Sequence, residues 1–251
     1  MRSRTIRLSK SRRMVIDLLH FAKAVPTVPV QRRMSIKAVV DARAACREPP
    51  QWAAIFIKAY ALVGQEYPVL RRAYVKLPWP HLSEYPITSV SIIFERDYEG
   101  EPSLFSLLVK NPAALSLSKL RALIGHGATA PISSVKDFER FLRLAVLPRP
   151  LRRLIWWFTL NASRQRGNYY GTFGLSVYSA LNVDSLHPLS PLTTLLNYGF
   201  IQSDGQVNVR IIYDHRVMDG AMVARAMGRL EEILNGPIVQ ELRSEASPHT
   251  E

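Results

Sequence analysis

Asp214-His215-Arg216-Val217-Met218-Asp219-Gly220 separates two segments of different period. Before it, Val207, Val209, Ile211 and Tyr213 alternate with other residues, which predicts a strand over 206–214 with one face buried. After it, Val223, Met227, Leu230 and Leu234 recur at helical spacing, which predicts an amphipathic helix over 219–234 that Gly236-Pro237 stops. The loop between them is short and held at both ends. Such a loop suits a positioned base, and imidazole is the commonest general base near pH 7. Asp219 is placed to cap the helix N-terminus or to pair with an arginine. Gly220 allows close approach to the backbone. The same pattern also fits a structural histidine beside an N-capping aspartate.

Working outward, Ser203-Asp204-Gly205 is a hairpin turn signal that joins the 206–214 strand to another over 195–202. Further strands are predicted over 27–36, 87–95, 103–109 and 172–178, the second and third joined by a turn at Gly100. Helices are predicted over 8–24, 37–46, 52–65, 116–125, 135–146 and 151–160. Strands and helices alternate irregularly and at least two strands form a hairpin. The expected class is therefore α/β, a mixed sheet with flanking helices. No repeat or low-complexity linker interrupts the chain, so one domain is expected over 1–236, followed by a polar tail over 237–251.

The chain has 251 residues, 47% of them apolar, which is enough for a substantial core and argues against wholesale disorder. Lys and Arg number 33 against 20 acidic residues, a formal charge of +13. That balance favours an anionic partner. Cys46 is the only cysteine. An intrachain disulfide and a cysteine-based metal site are thereby excluded, no metal is expected, and Cys46 reads as a small core residue. No run is long and apolar enough to span a bilayer and no secretory signal is seen, so the cytoplasm is the expected location.

Three stretches carry a resemblance. Asp214-His215-Arg216-Val217-Met218-Asp219-Gly220, followed by an Ala-rich amphipathic helix, resembles the catalytic domain of the acyltransferase component of 2-oxo acid dehydrogenase complexes, and chloramphenicol acetyltransferase is similar in the same motif. Gly171-Thr172-Phe173-Gly174-Leu175-Ser176, with Val183-Asp184-Ser185-Leu186-His187-Pro188 after it, is similar to that family's Gly-Thr-Phe-Thr-Ile-Ser segment and the Phe-Thr-Pro that follows. Leu8-Ser9-Lys10-Ser11-Arg12-Arg13, with Val25-Pro26 before a strand, is similar to its opening helix.

The resemblance implies a chloramphenicol-acetyltransferase-like fold built as homotrimers, with each active site in a channel between subunits. It implies coenzyme A, as acyl-CoA, for the substrate that donates the acyl group. His215 would be the general base and Ser176 the oxyanion donor. Asp219 would be structural, held by an ion pair for which Arg12 is the candidate. Ser176 also fits an ordinary strand serine, and Arg12 a solvated helix charge. The sequence departs from the family in three places. No lipoyl or subunit-binding domain precedes the catalytic part, so a stand-alone acyltransferase is expected, with any lipoyl donor acting in trans. Val177-Tyr178-Ser179 replaces the family's Asn-Leu-Gly. The middle of the chain is foreign: Glu95-Arg96-Asp97-Tyr98-Glu99-Gly100-Glu101 replaces a Gly-rich strand pair, and 138–160 interleaves arginines with Trp and Phe. That last segment fits a helix lying on an anionic membrane, or a helix pair buried in the core or between subunits. Interleaved arginines and aromatics could also stack on bases, but nothing else points to nucleic acid. The expected donors are acyl-CoA or an acyl carrier protein, and the acceptor a thiol, hydroxyl or amine. The competing reading is a non-catalytic assembly protein that keeps the fold.

Overall fold

The structure, a computed structural model, describes residues 3–177 and 185–246. The chain opens with α1 (Lys10–Ala22), β1 (Thr27–Ser35), α2 (Lys37–Ala44) and α3 (Trp52–Glu66). A small hairpin of β2 (Arg72–Val75) and β3 (His81–Glu84) precedes the long pair β4 (Ser89–Tyr98) and β5 (Glu101–Lys110). Four helices follow: α4 (Leu117–Thr129), α5 (Lys136–Ala145), α6 (Arg149–Asn161) and α7 (Ser163–Tyr169). The C-terminal third carries β6 (Phe173–Leu175), β7 (Thr194–Tyr198), β8 (Gln206–Asp214), α8 (Gly220–Ile233) and α9 (Val239–Ala246).

Among the described residues, six strands form one mixed sheet in the order β1-β8-β7-β6-β4-β5. β6 runs parallel to both β4 and β7, and the other neighbours are antiparallel. This is the mixed α/β sheet expected. The main core lies on one face, where Val90, Ile92, Phe173, Leu175, Leu196, Val209 and Ile211 meet α3 and α8. Phe56 of α3 stacks on Tyr198 at 4.2 Å, and Tyr60 meets Phe173 at 4.6 Å. Cys46 is buried in this core, where desolvation raises its thiol pKa, as suits an inert packing residue. The hairpin turn between β7 and β8 closes with Gly205 at φ +82°, and a Cβ there would strike the Lys37 backbone at 2.5 Å.

Two expectations need correction. Residues 237–246 are not a polar tail. A π-helical turn over Leu234–Ile238 absorbs Pro237 and leads into α9, which packs beside α2 with Val239 and Leu242 buried. The widened turn accommodates the missing proline N–H, so Gly236-Pro237 bends the helix rather than ending it. The strand expected over 172–178 covers only Phe173–Leu175, and Tyr178 lies outside the described residues.

The segment 138–160 forms a helix pair with two different faces. Phe138, Ala145, Trp156 and Leu160 are buried, whereas Leu151, Leu154 and Phe158 are exposed. The pair is tied to α1 by the fully buried carboxylate of Asp17, which receives Arg152 Nε and, at 2.9 Å, Arg153 Nε. Phe21 of α1 stacks almost parallel on Trp156 at 6.0 Å.

Candidate functional site

His215 follows the last residue of β8. Its backbone N–H donates to the Pro26 carbonyl at 3.0 Å, which ties the loop to the start of β1. The ring lies 5.7 Å from that of Tyr213 and its side chain is half exposed. Nδ1 is 3.6 Å from Asp219 Oδ1, so the carboxylate sits beside one ring nitrogen and leaves Nε2 unengaged among the described residues. Asp219 occupies the N-cap position of α8, and its carbonyl accepts from Met222 and Val223 at 3.0 and 3.2 Å. Its side chain makes no cap hydrogen bond. At Gly220 a Cβ would come within 3.3 Å of the Tyr213 hydroxyl, so a bare backbone lets that tyrosine pack beneath the loop.

The neighbouring residues brace this loop. Asp214 is buried, and Arg216 grips both of its oxygens, from Nε at 2.9 Å and Nη2 at 2.7 Å. The Arg216 backbone N–H adds a third bond at 3.0 Å, and its guanidinium lies 4.5 Å over the Tyr74 ring. A bidentate arginine–carboxylate pair of this kind holds planar geometry strongly. Sequence spacing gave no signal for the clamp, because the approach of Arg216 to Asp214 depends on how the chain turns after β8. Arg216 is thus a brace of the loop.

Arg12 and Asp219 do not form the expected ion pair within the protomer. Arg12 lies on the exposed side of α1, and among the described residues the side-chain contact of Asp219 is with His215 Nδ1. Instead, Asp17 on the buried side of α1 takes up two arginines from α6.

Ser176 lies immediately beyond β6. Its N–H donates to the Leu196 carbonyl at 3.2 Å, and its own carbonyl accepts from Asn197 Nδ2 at 2.6 Å. The buried Asn197, which sequence reasoning missed, thus aims the backbone of Ser176. The serine hydroxyl has no hydrogen-bond partner among the described residues and lines a cavity.

The sheet register separates Ser176 from His215. Ser176 is level with Asn197 and, across β7, with Arg210, whereas His215 lies beyond the opposite end of β8, past the Thr194–Tyr213 pairing. At a rise of about 3.3 Å per residue and a strand spacing of about 4.8 Å, their backbones are roughly 15–20 Å apart. Neither side chain spans that distance. One protomer therefore carries both groups without bringing them together.

No protein-family model matches the chain, and no curated protein matches it by sequence. Solved structures do match it by fold. A probable dihydrolipoamide acetyltransferase from Listeria monocytogenes superposes with a TM-score of 0.67 at 17% identity, over 99% of this chain and 97% of that one. Dihydrolipoamide acetyltransferase from Azotobacter vinelandii, in which a serine, a histidine and an asparagine were investigated for their role in the catalytic mechanism, superposes with a TM-score of 0.66 at 17% identity, over 94% and 93% of the two chains. A chloramphenicol acetyltransferase superposes with a TM-score of 0.54 at 11% identity, over 91% and 96%. With its mixed sheet and flanking helices, this chain has the chloramphenicol-acetyltransferase-like fold of the dihydrolipoamide acetyltransferase catalytic cores.

Proposed function

We propose that the protein is an acyltransferase whose active site forms between two copies of the chain, one supplying His215 and the other Ser176. The donor is an acyl thioester, of coenzyme A or of a carrier protein, and the acceptor a thiol, hydroxyl or amine. His215 Nε2 takes the acceptor's proton as the acceptor attacks the thioester carbonyl. The Ser176 hydroxyl donates to the oxygen of the tetrahedral intermediate. Collapse breaks the carbon–sulfur bond, and the leaving thiolate recovers the proton from His215. Asp219 positions the ring through Nδ1.

The observation that carries this reading is the His215 ring. It is half exposed on a braced loop, with a carboxylate at Nδ1 and with Nε2 unengaged among the described residues. A fixed base with one open nitrogen suits general-base catalysis. The formal charge of +13 suits the phosphates of coenzyme A or an acidic carrier protein. A site that is incomplete in one protomer is consistent with the homotrimer that the family resemblance implies. Acetyl-CoA with dihydrolipoamide as a probe acceptor tests the reading: His215→Ala should lower kcat by roughly 10²–10⁴ without changing assembly. An unchanged rate would remove His215 from the mechanism.

A second reading draws on the ion pair that Arg12 and Asp219 do not form. Here the chain keeps the fold as a non-catalytic assembly protein. Titration calorimetry with acetyl-CoA separates the two, since a pure scaffold has no reason to bind it. For location, no helix among the described residues is long and apolar enough to cross a membrane. Peripheral attachment of a cytoplasmic protein draws support from α6, where Leu151, Leu154 and Phe158 are 45–60% exposed beside Arg149 and Arg153. Salt-sensitive flotation with anionic vesicles would support attachment, and its absence would assign that face to protein contacts.

A further inference from the structure

Strand alternation turns Val90, Ile92, Phe173 and Leu175 toward the main core, and Ser91, Ile93, Gly174 and Ser176 toward the other face. On that second face, α1, α5 and α6 form a roof that leaves a cavity of about 730 Å³. The volume lies within the range of roughly 300–1,000 Å³ typical of small-molecule sites. The walls are chiefly apolar and include Met14, Leu18, Phe141, Leu144 and Trp156.

Several of the polar groups on the walls are already engaged. Ser91 Oγ donates to the Tyr170 carbonyl at 2.6 Å, and the Thr159 and Tyr170 hydroxyls share a bond of 2.8 Å. Burial pushes the Tyr170 phenol up to about 12, so it stays neutral. Asp137 accepts from the Leu108 N–H at 3.0 Å and from Arg140 at 3.3 Å. At Gly174, Leu195 and Leu192 carbons fill the places 2.6 and 3.2 Å from where a Cβ would be, so the apolar lining runs up to Ser176.

We propose that this cavity holds the hydrocarbon tail of a fatty acyl group whose thioester carbonyl lies at Ser176, so that the group transferred is a medium- or long-chain acyl. The inference rests on the acyl-transfer reading of Ser176. An oxyanion donor stands about 3 Å from the carbonyl oxygen it serves. Two arms leave that carbonyl carbon. The sulfur arm carries amides and phosphates, which lose free energy in an apolar space without partners. The other arm is the acyl tail, and an apolar cavity contiguous with Ser176 suits it. Of the three roof helices, α6 and most of α5 come from the stretch 138–160, in which this chain departs from the family it resembles, whereas α1 carries the family-like opening.

Titration calorimetry on the full chain with acetyl-, octanoyl- and dodecanoyl-CoA tests the proposal. Affinity should rise by up to roughly fourfold per methylene until the cavity is filled. Ser106→Phe on β5 and Leu144→Trp on α5 each put bulk into the cavity. Both should bind acetyl-CoA as the wild type does and lose most of the gain for dodecanoyl-CoA. Equal affinity for acetyl- and dodecanoyl-CoA in the wild type would overturn the proposal and leave the acyl-transfer reading standing. So would undiminished dodecanoyl-CoA binding in both folded variants. If none of the three binds, acetyl-CoA included, coenzyme A is not the donor, and this inference fails together with the acyl-CoA form of the acyl-transfer reading. Should neither variant fold, the wild-type series alone decides.

Discussion

Ser176 and His215 are ordinary residues made specific by what surrounds them. The serine backbone is held by Leu196 and Asn197, while its hydroxyl has no hydrogen-bond partner among the described residues. A donor held in place before charge develops loses little on reorganisation, which is why removing one typically costs 10²–10³ in kcat. Ser176→Ala should therefore lower kcat by about that factor with KM nearly unchanged, as steady-state rates with acetyl-CoA would show. A rise in KM at constant kcat would mean that the serine only binds substrate. Both residues stand out as candidates in the sequence because the motifs around them are local. The Asp214–Arg216 clamp was not, since it depends on how the chain turns after β8. That Arg12 does not meet Asp219 within the protomer has a related reason: which face of α1 meets its neighbours is decided by α6, through Asp17.

At the scale of elements, the long apolar periods were the readable part. The helix expected over 52–65 is Trp52–Glu66, and the strand over 206–214 is Gln206–Asp214. α9 was misread although Ile238, Val239 and Leu242 kept helical spacing, because Gly236-Pro237 is an apparent stop. The docking of α6 rests on a buried charge. Asp17→Ala would strand Arg152, itself buried, without a counter-charge, and removing one partner of such a pair typically costs about 3–5 kcal/mol. Urea unfolding should show a loss of that size. A change below about 0.5 kcal/mol would mean that the pair is effectively solvated. With the roof loosened, the chain-length preference for acyl-CoA should weaken in the same variant.

For the whole molecule, the decisive feature is that the two candidate catalytic groups stand roughly 15–20 Å apart on one sheet. A site shared between copies can be rebuilt from two damaged chains. Co-assembled Ser176→Ala and His215→Ala protomers, mixed equally, should regain about a quarter of wild-type activity, because that share of interfaces pairs an intact serine with an intact histidine. Each variant alone should stay near its own low rate. Mixed oligomers no more active than the mean of the two would place the site within one chain.

The sequence alone determined the mixed α/β class, the main elements and the two motifs, because apolar period and turn chemistry act over a few residues. The tertiary structure decided what those motifs can reach. The register across β6, β7 and β8 set the distance between Ser176 and His215, and hydrogen bonding between strands distant in sequence set that register. The packing of α5 and α6 over the second face shaped the cavity beside Ser176, through side chains brought together from α1, β5 and α6. Long-range contacts of this kind leave no period in the sequence, so they appear only when the chain has folded.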